Sequence, residues 1–127
     1  MKIRCNREHL ADRLAQVARA ASTRANLQSA AHVRISAESS ELPVELAATD
    51  LEMTLRVPLD ADVERPGAAL LPARIAPELI RALAGETVEL AAEVDGRVVV
   101  TAGDASYTLY GLPVDEFPQL PEIDHER

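Results

Sequence analysis

Arginine is the residue type through which this chain could act on another molecule. Segments 7–24 and 73–83 carry Arg7, Arg13, Arg19, Arg24, Arg74 and Arg81 against only Glu8, Asp12 and Glu78. These segments therefore hold a net +3 within a 127-residue chain of net −8, which leaves −11 on everything else. Guanidinium groups gathered on two segments of an acidic body make a polarised particle, and overall acidity then does not exclude a polyanionic partner. Other chemistry has little support. Asp50 and Glu52 sit at a turn and on an outward strand face, and His9, His32 and His125 have no ligand spacing. A glycine-rich phosphate loop is absent, so neither a catalytic nor a metal-binding residue is assigned and no cofactor is called for.

The elements that must position these arginines follow from periodicity. Lys2 to Cys5 reads as a strand with Ile3 and Cys5 inward. Asn6 is placed to cap a helix in which Leu10, Leu14, Val17 and Ala21 form the buried stripe. Asp12, Gln16 and Arg19 fall opposite that stripe, with His9 and Arg13 on its flank. A polar loop, 22–30, contains Arg24. Val33 and Ile35 mark a strand, and Val44 to Val57 alternates with one break at Asp50, giving a hairpin with Leu51, Met53 and Leu55 predicted buried. The stretch 60–67 is acidic and ends in Arg65-Pro66-Gly67, a turn signal. After a short strand at 68–71, a second helix begins at Arg74 to Ala76, so that Pro77 lies in its first turn. Ile75, Leu79, Ala82 and Leu83 are expected inward, with Arg74 and Arg81 outside. A hairpin turning at Asp95-Gly96 and a last strand at 105–110 follow. The proline-bearing stretch 111–127 reads as linker.

Both halves, 1–59 and 67–110, thus read strand, helix, strand, strand, strand. The fold class is α+β, one domain over 1–127 with two helices side by side on one face of curved antiparallel sheets. An apolar fraction of 47% and a charged fraction of 27% are those of a soluble globular chain. Apolar runs fall short of the roughly 18 residues of a membrane span, and Cys5 alone forms no internal disulfide. The expected compartment is cytoplasmic.

This order, with Arg7-Glu8-His9-Leu10, Arg24 before Leu27, Thr49-Asp50-Leu51-Glu52-Met53, Pro66-Gly67, Pro72-Ala73-Arg74, Gly103, Leu112-Pro113 and Glu116-Phe117-Pro118, resembles the first domain of the bacterial sliding clamps, the beta subunit of DNA polymerase III. The resemblance implies a DNA-clamp domain whose helices line a hole around duplex DNA and hold the polymerase to its template without catalysis. It implies Arg24 as a direct DNA contact and Arg13, Arg19, Arg74 and Arg81 as the positive lining, a sequence-independent and salt-sensitive role. Implied partners are duplex DNA, DNA polymerase III, clamp-loader components and other clamp domains.

The strand that joins subunits in that family matches the one bearing Tyr107 and Leu109. Here Asp104 and Ser106 stand where the family commonly has arginines, and Gln28-Ser29 replace a proline-containing apolar segment. Those departures suit an alternative, a clamp-like interaction module that does not encircle DNA. A single-strand binder is disfavoured, because Tyr107, Tyr110 and Phe117 are all near the C-terminus and offer the helices no stacking platform. Helices about 10 Å wide, two per domain, require about six domains to surround a duplex. The expectation for the chain alone is a monomer, or a weak dimer through its edge strand, with weak DNA affinity.

Overall fold

A computed structural model describes residues 1–21, 31–38, 43–50 and 52–117. Its elements are β1 (Lys2–Asn6), α1 (Arg7–Ala18), β2 (His32–Ala37), β3 (Val44–Thr49), β4 (Thr54–Leu59), β5 (Ala61–Arg65), β6 (Gly67–Pro72), α2 (Ile75–Ala82), β7 (Thr87–Ala92), β8 (Arg97–Ala102) and β9 (Ala105–Tyr110). They form two antiparallel sheets, β5-β1-β7-β8-β9 and β4-β3-β2-β6. The repeated order is present, but the halves exchange their leading strands. β1 pairs with β7 of the second half, and β6 pairs with β2 of the first. Neither three-stranded meander is therefore left without a neighbour from the other half.

Strand β5 forms within the acidic stretch, to which the sequence reading assigns no strand. Ala61 and Val63 alternate with Asp62 and Glu64, and they pair opposite Cys5 and Ile3 of β1. Val63 packs against the core. On the outward face Lys2 and Arg4 reach Glu64 at 3.6 and 3.1 Å, and Glu89 of β7 at 3.8 and 3.4 Å. Opposite charges facing one another across strands let a strongly charged segment join the sheet.

The α1 stripe is as the spacing predicts except at Ala21, which lies past the end of the helix and is half-buried against the core. Leu10, Leu14 and Val17 are fully buried, joined by Ala11, and they share one core cluster with Ile3, Ile35, Leu46, Ile80 and Leu90. The phase of α2 differs from the expectation. Ile75 is 49% exposed and Ala82 is also exposed, whereas Ala76, Pro77, Ile80 and Leu83 are buried and Leu79 is half-buried. Eight residues make little more than two turns, so a shift of one position re-aims the whole apolar face. The helix start and the place of Pro77 in its first turn are as expected.

The β3–β4 hairpin forms in the expected antiparallel pairing, Thr49 opposite Thr54 and Leu46 opposite Val57. Met53 is a correction: it is 53% exposed. The Asp50 carboxylate accepts hydrogen bonds from the backbone N–H groups of Glu52 and Met53, at 2.9 and 2.7 Å. The Thr49 hydroxyl donates to the Met53 carbonyl at 2.9 Å. These bonds hold Met53 in the turn rather than on the strand, and its side chain leaves the core face. Leu55 is half-buried against the core, and Leu51 lies outside the described residues.

Residues 111–117 pack back on the body. Gly111 donates its N–H to the Gly96 carbonyl at 3.0 Å, and a Cβ at Gly111 would stand 2.0 Å from the Leu70 oxygen. Only glycine fits that approach of the two sheets. A single 3-10 turn, Val114–Glu116, then delivers Phe117 to a position 8% exposed.

Candidate nucleic-acid interface

The site is built from the two helices, and α1 is fixed first. Asn6 accepts from the His9 N–H at 2.8 Å, the expected N-cap, and Glu8 lies in the first turn where the helix dipole favours an anion. His9 Nε2 then accepts from the Asp60 N–H at 3.1 Å, tying α1 to the β4–β5 turn. Below the helix, burial and then the Asp60 carboxylate push the Cys5 thiol up to about 12, so the cysteine stays a protonated core residue.

Arg7 is the residue whose role the sequence conceals. Counted among the basic surface charges, it instead lies with its side chain 17% exposed between the helices. It donates to the carbonyls of Gly85 at 2.7 Å, Arg81 at 3.0 Å and Ile80 at 3.5 Å. Its own backbone N–H donates to the Glu86 carbonyl at 2.7 Å. One guanidinium thus satisfies the carbonyls that a helix end leaves open, and places a cation at the negative end of α2. Arg7 is scaffold. It does not contribute to the outer charge.

The outer surface of the pair carries the remaining arginines. Arg19 and Arg74 are exposed, and Arg13 is half-buried on the flank of α1 with Nη1 3.2 Å from Gln16. Arg81 of α2 and Asp12 of α1 meet at 3.1 Å, with side chains 57% and 77% exposed. This bridge shows that the outer faces of the two helices form one surface. It also offsets the charge of Arg81, leaving Arg19 and Arg74 as the more available cations there. Arg24, the direct contact implied by the resemblance, lies outside the described residues, as do Leu27, Gln28 and Ser29.

The edge strand divides the expected interface residues. β9 pairs with β8 on one side and ends its sheet. Tyr107 is 45% exposed and Tyr110 73%, and Asp104 and Ser106 are exposed. Leu109 is 7% exposed and belongs to the core, so its side chain is unavailable to a neighbour. Its period-two partner Tyr107 shares that face of the strand but is left exposed. Among the described residues no helix is long and apolar enough to cross a membrane, and no group of His, Cys, Asp and Glu is placed to hold a metal ion.

Known proteins share both this sequence and this shape. The family described as DNA polymerase III beta subunit, N-terminal domain, matches residues 1–121. The beta sliding clamp of Streptomyces coelicolor is 36% identical over 124 residues, covering 97% of this chain and 32% of that protein. A beta sliding clamp homolog of Streptomyces muensis, GriR, is 32% identical over 97% of this chain. The DNA polymerase sliding clamp from Bacillus subtilis superposes with a TM-score of 0.87 at 26% identity, over 98% of this chain and 34% of its own. The chain thus spans about a third of the length of the curated relatives it matches.

Proposed function

The chain belongs to the DNA polymerase III beta subunit N-terminal domain family, and on that premise we propose that it acts as a sliding-clamp domain, a non-catalytic processivity element that associates with duplex DNA without reading its sequence. The observation that carries this reading is the bridged outer surface of α1 and α2, on which Arg19 and Arg74 are exposed and Arg13 stands at the flank. Arginines presented from rigid helices at phosphate height attract a duplex of any sequence and release its counterions. Arg81 belongs to the same surface, and Arg24, outside the described residues, is included on the resemblance alone. The alternative of a clamp-like module that does not touch DNA is not favoured by the family to which the chain belongs.

The partners proposed with this role are DNA polymerase III, clamp-loader components and further clamp domains. The last would meet the open edge of β9, where Tyr107, Asp104 and Ser106 are exposed. No cofactor enters the scheme, and the compartment proposed is the cytoplasm. The test is duplex affinity across a salt series for the parent and for a variant carrying Arg19→Ala and Arg74→Ala. The expected result is a weaker affinity on every duplex sequence and a log–log salt slope reduced by about two. Unchanged affinity and slope would refute the assignment of these arginines.

A further inference from the structure

The face of the second sheet that points away from α1 carries a feature that the clamp role does not use. Along β2, Val33, Ile35 and Ala37 are buried in the core, which leaves Arg34 and Ser36 on the opposite face. Arg34 lies opposite Ala47 of β3, and Ala47 opposite Arg56 of β4, so the two arginines flank one alanine in a single cross-strand row. Ala47 points to this outward face and yet is 1% exposed, because the arginine stems lie over it. Together with Glu45, Pro43 and Pro58, they line a groove of about 580 Å³.

Within it each guanidinium has a different neighbour. Arg56 has the Glu45 carboxylate at 3.6 Å. Arg34 has the Phe117 ring 5.3 Å from Cζ, on which the cation rests, and its Nε is buried without a hydrogen-bond acceptor. A buried guanidinium donor left unmade is costly, and a carboxylate is the acceptor whose two oxygens match its fork. Burial, and after it the neighbouring Arg56 cation, lower the Arg34 pKa, partly offset by the Glu45 and Glu38 carboxylates.

We propose that this groove is a binding site for an acidic peptide segment of a partner protein, one carboxylate engaging Arg34 with adjoining apolar side chains against Pro43 and Pro58. A singly charged carboxylate is favoured over a phosphate dianion because Glu38 and Glu45 also line the groove and would repel the greater charge. The face is separate from the helix surface, so the site can be tested independently of DNA.

The probe is the peptide acetyl-Val-Glu-Val-Glu-Val-amide, added to the 127-residue chain while the Arg34 Nε–H resonance is followed by NMR. The expected result is a saturable shift of that resonance, with affinity at least tenfold weaker for the Gln-for-Glu peptide. Arg34→Gln and Arg34→Lys should each weaken binding at least tenfold, read from the perturbed amides of β3, because lysine keeps the charge but loses the fork. Arg19→Gln, on the helix face, should leave it unchanged. Absence of a saturable shift, equal binding of the Gln peptide, or full retention by Arg34→Lys would each overturn the proposal. So would saturation by inorganic phosphate at lower concentration than the peptide, which would assign the groove to a phosphate-bearing ligand.

Discussion

The two helices occupy equivalent places in the repeated order of elements, yet they are held in different ways. α1 has twelve residues and an N-cap from the residue just before it, Asn6. α2 has eight residues, no side-chain N-cap bond, and a C-terminus whose carbonyls are taken by Arg7 of the other half. A helix of eight residues is too short to persist on local terms, so α2 exists by packing and by that borrowed arginine. The same dependence runs through the sheets, where β1 and β6 each complete the other half's meander. A repeat of order therefore does not mean two self-sufficient units. Among the described residues the arginines of the helix pair are likewise of two kinds: Arg7, held structurally between the helices, and Arg13, Arg19, Arg74 and Arg81 on the outer side.

The sharpest way to probe this contrast is to remove what the halves share. Leu14→Ala, which deletes a fully buried side chain at the centre of the α1 stripe, should cost about 2–5 kcal/mol in denaturant unfolding. It should destabilise both sheets in one transition. Two separate transitions would show that the halves fold independently.

Arg7→Ala should cost about 2 kcal/mol, because its bonds to the carbonyls of Arg81 and, just past the end of α2, Gly85 are charge-assisted. Hydrogen exchange should accelerate more in α2 than in α1, and Arg7→Lys should restore only part of the loss because it lacks the fork. Equal acceleration in the two helices would contradict the capping role.

Asn6→Ala should cost about 1 kcal/mol and fray the first turn of α1 while leaving α2 protected. The smallest effect should come from the Asp12–Arg81 bridge. Asp12→Ala should change stability by less than about 1 kcal/mol, since both side chains are mostly exposed. It should, however, strengthen duplex binding at low salt by releasing Arg81. Weaker binding on removal of that carboxylate would place the DNA elsewhere.

Much of this organisation was legible in the residues themselves. The alternation around Asp50, the Asn6 cap, the Asp95-Gly96 turn and the repeated order all express local chemistry, and the structure contains each. What the residues concealed depends on distance along the chain. β5 offered only Ala61 and Val63 as apolar positions, and its charged residues find their partners in β1 and β7. The phase of α2 could not be set from two turns. Met53 follows the alternation, but the Asp50 carboxylate overrides it. Arg7 meets carbonyls more than seventy residues away, which periodicity cannot see. The exposure of Arg19 and Arg74 follows from helical spacing, whereas the bridge that neutralises Arg81 required the packing of α1 on α2.

The separation of scaffold from interface arginines, on which the functional reading rests, is tested most directly by duplex binding of three proteins across a salt series. These are the parent, Arg19→Ala with Arg74→Ala, and Arg7→Lys, the last compared at a temperature where its folded population matches the parent's. The account predicts that the double variant binds every sequence more weakly, with a salt slope lower by about two, while Arg7→Lys keeps the parental slope. A slope unchanged in the double variant and reduced in Arg7→Lys would contradict it.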